Sequence, residues 1–152
     1  MTPIIRPLRQ QDADKLAALW HESWRSTGVQ ASSQVSPAEL RHTISLELSD
    51  GWDVTVAEHG GDLLGFVALK RANRCLDQLF IAPHAKRLGI GRELFGLAKR
   101  VMPQGFWLRT AAENRDARAF YEAVGMKLVR IEPHPKHGHK TAIYVTVDLG
   151  VA

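Results

Sequence analysis

Apolar residues recur along this chain with two different periods, which separate predicted helices from predicted strands. A period of about 3.6 residues predicts four helices, whereas alternation and short apolar runs predict seven strands. Capping residues and turn glycines mark the boundaries between these elements. The predicted strands cover residues 4–8, 52–56, 63–69, 76–82, 106–110, 126–131 and 141–149, and the predicted helices begin near Asp12, Ser36, Ile90 and Asn114. Asp12, Ser36 and Asn114 are predicted to cap the helices that they precede.

The order of these elements predicts the architecture. It reads strand, two helices, three strands, helix, strand, helix and two strands, so hairpins lie at both ends and strand–helix–strand crossovers lie between them. Hairpins make antiparallel pairs and crossovers make parallel ones. We therefore expect the α/β (α+β) class, with a mixed sheet and helices on its faces. No linker or repeat interrupts the pattern, which favours a single domain over residues 1–152.

Composition narrows the class of protein further. Hydrophobic residues make up 45% and charged residues 24% of the 152 residues, a globular balance. No apolar run approaches the roughly 18 residues of a membrane span, and the N-terminus lacks a signal-peptide pattern, so we expect a cytoplasmic protein without membrane contact. The excess of 20 Lys and Arg over 16 Asp and Glu is spread along the chain, as in a mildly basic surface.

The histidines and the single cysteine give weak signals for chemistry. His134, His137 and His139 share one loop, but their spacing matches no known zinc site, which favours a solvated loop and no metal. Cys75 has no paired histidine at a readable spacing, so we expect a small buried strand residue rather than a nucleophile.

Residues 76–92 carry the strongest signal, a buried strand followed by a basic loop and a long helix. The free N–H groups and the dipole of a helix start attract anions, and a phosphate can approach glycine backbone closely. A side chain on Gly91 would then occupy phosphate space. Neither a dinucleotide fingerprint nor a Walker loop is present. On these residues alone, a glycine turn that merely starts a helix stays an open alternative.

This stretch resembles the acetyl-CoA signature of the GNAT acetyltransferase superfamily, Gln/Arg-x-x-Gly-x-Gly/Ala between a strand and a helix. Residues 86–91 read Lys-Arg-Leu-Gly-Ile-Gly and depart from it only at Lys86. Residues 114–126 resemble a second block of the family, Asn-x-x-Ala-x-x-Phe-Tyr-x-x-x-Gly-Phe, with Met126 in place of the last Phe. The two blocks occur in the family's order and spacing, and the resemblance covers about residues 76–131.

The resemblance implies an N-acetyltransferase that uses acetyl-CoA and transfers the acetyl group directly to a primary amine in a ternary complex. It implies a mostly antiparallel sheet of about six to seven strands, in which strands 76–82 and 106–110 splay apart around the pantetheine arm. The Tyr121 hydroxyl would donate to the leaving sulfur unless Tyr121 is an amphipathic core residue, and Asn114 would contact the pantetheine arm or the adjacent backbone unless it is a plain helix cap. The residues that it implies for acetyl-CoA binding are Leu79, Phe80, Ile81, Lys86, Arg87, Leu88, Gly89, Ile90, Gly91, Arg92 and Asn114.

The acceptor side is predicted from fewer residues. Strand alternation places Asp77 on the face of Leu79 and Ile81, where its carboxylate would act as a general base or ammonium anchor, unless it is a plain surface aspartate. In the first helix, Trp24 and Arg25 would line the acceptor wall, although the spacing of Trp24 also fits a core residue. Arg25 would pair with a carboxylate, which predicts a small zwitterionic amine as acceptor.

Two other functions stay open at this point. A non-catalytic acyl-CoA sensor of the same fold would bind the ligand without needing Tyr121 or Asp77. A nucleic-acid-binding module would need clustered basic and aromatic residues, whereas most aromatic residues here follow the core periodicity, so we expect no nucleic-acid partner. The sequence does not determine which amine is the acceptor or whether the protein forms a homodimer.

Overall fold

The computed structural model describes residues 2–146, and its strands and helices follow the predicted order. The last predicted strand extends to residue 149, and residues 147–149 lie outside the described range. The strands are β1 (Ile4–Pro7), β2 (Asp53–His59), β3 (Asp62–Lys70), β4 (Cys75–Ile81), β5 (Trp107–Ala111), β6 (Lys127–Pro133) and β7 (Lys140–Val145). The helices are α1 (Ala13–Ser26), α2 (Pro37–Ser49), α3 (Ile90–Val101) and α4 (Arg115–Ala123).

The strands form one sheet of seven in the order β1-β2-β3-β4-β5-β7-β6. Every neighbouring pair is antiparallel except β4 and β5, which are parallel. These two strands share a single residue pair, Cys75 opposite Trp107, and the Trp107 N–H donates to the Arg74 carbonyl at 2.9 Å. Beyond that point β4 and β5 diverge. The mixed, mostly antiparallel sheet with a splayed central pair is therefore confirmed.

Helices cover both faces of the sheet, as the alternation along β3 shows. Phe66 lies 6.0 Å from Trp20 of α1, measured between ring centroids, and α2 packs on α1. The neighbouring Gly65 faces the other way, where a Cβ would lie 3.3 Å from Ile90 of α3. Phe95 of α3 in turn contacts α4, so α3 and α4 share that second face. Among residues 2–146, no helix has the length and apolarity needed to cross a bilayer.

Two of the predicted helix starts are capped as expected. The Ser36 hydroxyl accepts a hydrogen bond from the Glu39 N–H at 3.1 Å at the start of α2. The Asn114 side chain accepts one from the Ala117 N–H at 3.2 Å at the start of α4. Each bond satisfies one of the N–H groups that a first helical turn leaves free.

The prediction that Asp12 caps α1 is wrong in its contacts. Its buried carboxylate accepts hydrogen bonds from the Arg6 guanidinium at 2.7 and 3.1 Å and from the Arg9 N–H at 2.7 Å. Arg6 also contacts Glu58 of β2 at 3.0 Å. Asp12 therefore joins the first strand to the start of α1 instead of satisfying the helix N–H groups.

Candidate active site

The loop between β4 and α3 presents a set of free hydrogen-bond donors. Throughout residues 2–146, no acceptor is found for the backbone N–H groups of residues 86–92. The exposed side chains of Lys86, Arg87 and Arg92 take part in none of the ion pairs of the described chain. Free N–H groups and three cations at the start of a twelve-residue helix make this loop well suited to bind an anion.

Left-handed backbone gives the loop its shape. Gly89, the residue before α3, has a φ of +84°, and Arg87 has a φ of +68°. No atom lies within 4 Å of the position that a Cβ would take at Gly89, so conformation rather than space calls for glycine there. Gly91 differs, because its Cβ would lie 3.4 Å from the ring of Phe120 and 3.9 Å from Ile81. A Cβ at Gly91 would therefore make ordinary van der Waals contact with the protein, and any larger side chain would extend from that contact.

The gap between β4 and β5 exposes backbone groups of β4. The Ala82 N–H, just after the strand, donates to the Leu64 carbonyl of β3 at 2.8 Å. Because N–H groups alternate sides along a strand, those of Leu79 and Ile81 point away from β3 and into the gap. Phe80, the residue between them, lies opposite Phe66 and contacts its ring. The open edge thus offers at least two donors to an extended ligand.

Tyr121 of α4 is buried in an aromatic group on the α3 face. Its ring lies 5.5 Å from Phe120, 6.1 Å from Tyr144 and 6.4 Å from Phe95. The hydroxyl makes no hydrogen bond within residues 2–146, and it is not fully enclosed by protein atoms. Burial raises the pKa of this hydroxyl above its usual value, so the group holds its proton at neutral pH, as a general acid must.

Asp77 does not share a face with Leu79 and Ile81, which corrects the prediction from strand alternation. A bulge shifts the register between β3 and β4, so that residue 78 lies opposite 68 and residue 76 opposite 69. Asp77 is the extra residue, and its carboxylate accepts a hydrogen bond from Nε1 of Trp52 at 2.9 Å. Trp52 belongs to the aromatic cluster under α1, so the bulge turns Asp77 toward the α1 face.

The surroundings of Asp77 are polar but crowded. Nζ of Lys70 lies 4.0 Å from the Asp77 carboxylate and 2.9 Å from that of Glu47. Burial raises the pKa of Asp77, and this effect outweighs the opposing influence of Lys70 and of the Trp52 hydrogen bond. The arrangement ties β4 to β2, β3 and α2, which makes Asp77 an anchor of the strand whatever else it does.

The residues predicted to line the acceptor wall lie at different depths. Trp24 is half-buried against the core, to which Trp20, one helical turn earlier and only 6% exposed, belongs. Arg25 is exposed, and none of the described ion pairs includes it. Beyond α1 the chain approaches the β5–α4 turn, where the Gln30 N–H donates to the Glu113 carboxylate at 3.2 Å. The connection between α1 and α2 therefore lies beside the open end of the gap.

One group near the site is absent from the sequence predictions. Tyr144 of β7 is fully buried, and its hydroxyl accepts a hydrogen bond from Nε of Arg118 at 3.1 Å and donates to the Glu122 carboxylate. Arg118 also donates to the Ala112 carbonyl at 3.2 Å. The four-residue spacing of Arg118 and Glu122 in α4 is the only signal of this group in the sequence.

The cysteine and the histidine loop have ordinary surroundings. Cys75 is buried, and burial raises the pKa of its thiol to about 12, as suits a packed strand residue. The rings of His134, His137 and His139 lie 4.6 to 6.2 Å apart. Across residues 2–146, no three or more His, Cys, Asp or Glu side chains form a group that would hold a metal ion.

Comparison with known proteins places this arrangement in a family. The model of the acetyltransferase (GNAT) family matches residues 14–126. The chain is 30% identical over 128 residues to the peptidyl-lysine N-acetyltransferase YiaC of Escherichia coli, covering 83% of this chain and 84% of that protein. Its fold is similar to apo YjaB from Escherichia coli, with a TM-score of 0.74, 24% identity and coverage of 97% and 99% of the two chains.

A second solved structure has the same fold with a ligand bound. It is the PaiA N-acetyltransferase from Thermoplasma acidophilum in complex with coenzyme A, with a TM-score of 0.74, 23% identity and coverage of 96% of this chain and 99% of that one. At such identity the likeness concerns the fold alone. The family match and the Escherichia coli relative decide the assignment: this chain belongs to the acetyltransferase (GNAT) family and is an N-acetyltransferase.

Proposed function

We propose that the protein transfers the acetyl group of acetyl-CoA directly to a primary amine of a small molecule, within a ternary complex. The observation that carries the proposal is the presence of two groups of free donors in chain order, one at the open edge of β4 and one in the loop before α3. The N–H groups of Leu79 and Ile81 point into the gap, and those of residues 86–92 lack partners among the described residues. An extended arm that ends in a pyrophosphate matches this order of donors.

Two steps of the transfer have a candidate group at the gap. Acetyl-CoA supplies a thioester whose carbonyl the neutral amine attacks, and the Ile81 N–H would stabilise the negative charge that develops on the oxygen. When the carbon–sulfur bond breaks, the Tyr121 hydroxyl would give its proton to the thiolate. The new amide loses the extra proton of the amine to solvent, from which Tyr121 regains its own.

Asp77 would serve the acceptor through the α1 face. The bulge points its carboxylate toward that face, which the acceptor would approach while the acyl donor occupies the α3 side of the gap. The Asp77 carboxylate already accepts the Trp52 hydrogen bond and lies 4.0 Å from Nζ of Lys70. This supports a role in anchoring an ammonium or in orienting β4 more than a role as a strong base. Trp24 and the free cation of Arg25 would contribute to the acceptor wall.

The acceptor has one further candidate class. The Gln30–Glu113 hydrogen bond joins the α1–α2 connection to the β5–α4 turn, so these two segments would form part of the wall that meets the acceptor. A lysine side chain on a protein is also a primary amine, and the Escherichia coli relative is named a peptidyl-lysine N-acetyltransferase. The second candidate acceptor is therefore a protein lysine.

One panel separates these possibilities by the free thiol released from acetyl-CoA. The acceptors are free amino acids, spermidine, and a peptide with blocked ends and one lysine. Turnover highest with a small amine supports the first candidate, and turnover highest with the peptide supports the second. Tight binding of acetyl-CoA by calorimetry without turnover on any acceptor would identify a sensor and overturn the proposal.

A further inference from the structure

The hydroxyl of Tyr144 lies where a strand, a helix and a turn of the site meet. Tyr144 is 0% exposed, an unusual position for a group that hydrogen-bonds to two charged side chains. Both of those side chains, Arg118 and Glu122, belong to α4 and lie one helical turn apart. Through them the sheet holds α4 by hydrogen bonds as well as by apolar contact.

Arg118 extends the same contact to the end of β5. Its Nη1 donates to the carbonyl of Ala112, directly after that strand, while its Nε donates to Tyr144. The hydrogen bond to Tyr144 raises the pKa of Arg118, so the cation persists at any working pH. One guanidinium therefore connects β7, the β5–α4 turn and α4 itself.

Tyr121 has no comparable hydrogen bond of its own. Within the described chain its hydroxyl is unpaired, so only ring contacts hold the side chain, and one of those rings is Tyr144 at 6.1 Å. A general acid must lie within hydrogen-bond reach of the atom that takes its proton. The position of the Tyr121 hydroxyl is thus decided by the placement of α4.

We propose that Tyr144, Arg118 and Glu122 form a positioning unit that holds α4 so that the Tyr121 hydroxyl faces the leaving sulfur. The inference rests on the proposed role of Tyr121 and extends it to three residues that do not themselves touch the reacting atoms. A phenylalanine has nearly the same shape and would fill this buried position without a polar group to satisfy. The proposal gives a functional reason for the tyrosine hydroxyl.

The kinetic test is a double-mutant cycle on whichever panel acceptor gives the highest kcat/KM. Tyr144→Phe should lower kcat about tenfold, because a small misplacement of a catalytic group costs rate, with the dissociation constant of acetyl-CoA changed less than twofold. In a Tyr121→Phe background the same change should lower kcat less than twofold further. Equal losses in both backgrounds, or an unchanged kcat in the single variant, would overturn the proposal.

Two controls separate positioning from simple loss of stability. Asp12→Asn destabilises the fold on the other side of the sheet and should leave kcat unchanged at a temperature where the protein stays folded. Arg118→Lys keeps the charge but cannot reach both Tyr144 and Ala112 as the guanidinium fork does. It should therefore lose as much of kcat as Tyr144→Phe does. Full activity in Arg118→Lys would show that charge alone matters and would refute the unit.

A measurement without turnover distinguishes failure of this inference from failure of the proposed function. The chain has two tyrosines, Tyr121 and Tyr144, so fluorotyrosine labelling gives two fluorine resonances that single variants assign. Tyr144→Phe should shift or broaden the Tyr121 resonance, whereas Asp12→Asn should not. An unchanged Tyr121 resonance would overturn the positioning role even if the enzyme is active. A changed resonance in a protein that transfers no acetyl group would instead count against the proposed function.

Discussion

Replacing Gly89 by alanine should weaken acetyl-CoA binding by altering backbone conformation rather than by a collision. Gly89 has a φ of +84°, and no atom lies within 4 Å of the place where a Cβ would be added. A side chain in this left-handed conformation costs roughly 1–2 kcal/mol, because the Cβ approaches its own carbonyl oxygen. The loop must either bear that strain or turn its N–H groups away from the anion.

These two responses of the loop predict losses of similar free energy, the first in the stability of the fold and the second in the affinity for acetyl-CoA. A cost of 1–2 kcal/mol corresponds to a melting temperature lowered by about 2–8 °C in a chain of this length. If the loop instead relieves the strain by reorienting its N–H groups, the free energy of acetyl-CoA binding becomes less favourable by a similar amount. A loss of 1.4 kcal/mol corresponds to about tenfold in affinity. Gly89→Asn should recover most of either loss, because asparagine tolerates the left-handed region.

The assay pairs thermal denaturation with calorimetric titration of acetyl-CoA, and the control is Gly51→Ala. Gly51 follows α2, has a φ of +90° and likewise has no atom within 4 Å of its missing Cβ. It should lose similar stability with no change in affinity. Gly89→Ala with both wild-type stability and wild-type affinity would refute the conformational argument.

Three further predictions follow from contacts described above. Gly91→Val should lower acetyl-CoA affinity more than tenfold, because its Cβ would contact Phe120 at 3.4 Å and its methyl groups would occupy the space that a phosphate at the helix start would take; wild-type affinity by calorimetry would contradict this. Tyr121→Phe should lower kcat by about 10²-fold with acetyl-CoA affinity nearly unchanged, read by thiol release, and a wild-type kcat would assign Tyr121 to packing. Asp12→Asn should cost about 3 kcal/mol in urea unfolding. Because Arg6 holds the pKa of Asp12 below its ordinary 3.8, this stabilisation is present above pH 3.8 and is lost as pH falls through the lower, folded pKa; equal acid sensitivity of variant and wild type would contradict it.

Local patterns predicted most of the fold, because the features concerned are themselves local. Alternation and helical spacing determine which side of an element is buried, and short side chains such as Ser36 and Asn114 cap the helix that immediately follows. The two glycines and three cations of the 86–92 loop are also contiguous. Each of these signals can be recognised within a window of about 18 residues.

The predictions failed where the outcome depends on a contact that the local pattern of residue types does not show. Alternation cannot show that one extra residue at Asp77 shifts the register of β4, because the bulge depends on the pairing with β3. The capping pattern at Asp12 is the same whether or not Arg6 competes for the carboxylate. Tyr144 reads as a core residue in its strand, and only the folded chain brings Arg118 to its hydroxyl.

The single residue pair between β4 and β5 divides the sheet into two plates, β1-β2-β3-β4 and β5-β7-β6, that are joined by one short seam of backbone pairing. Rotation about the seam at Cys75 and Trp107 would need to break few backbone hydrogen bonds. We therefore expect amide hydrogen exchange at Leu79 and Ile81 to be fast for a central strand of a seven-stranded sheet. A pantetheine arm bonded along that edge would slow this exchange and brace the plates against each other. The bound substrate would then supply hydrogen bonds between β4 and β5 that the sheet itself lacks.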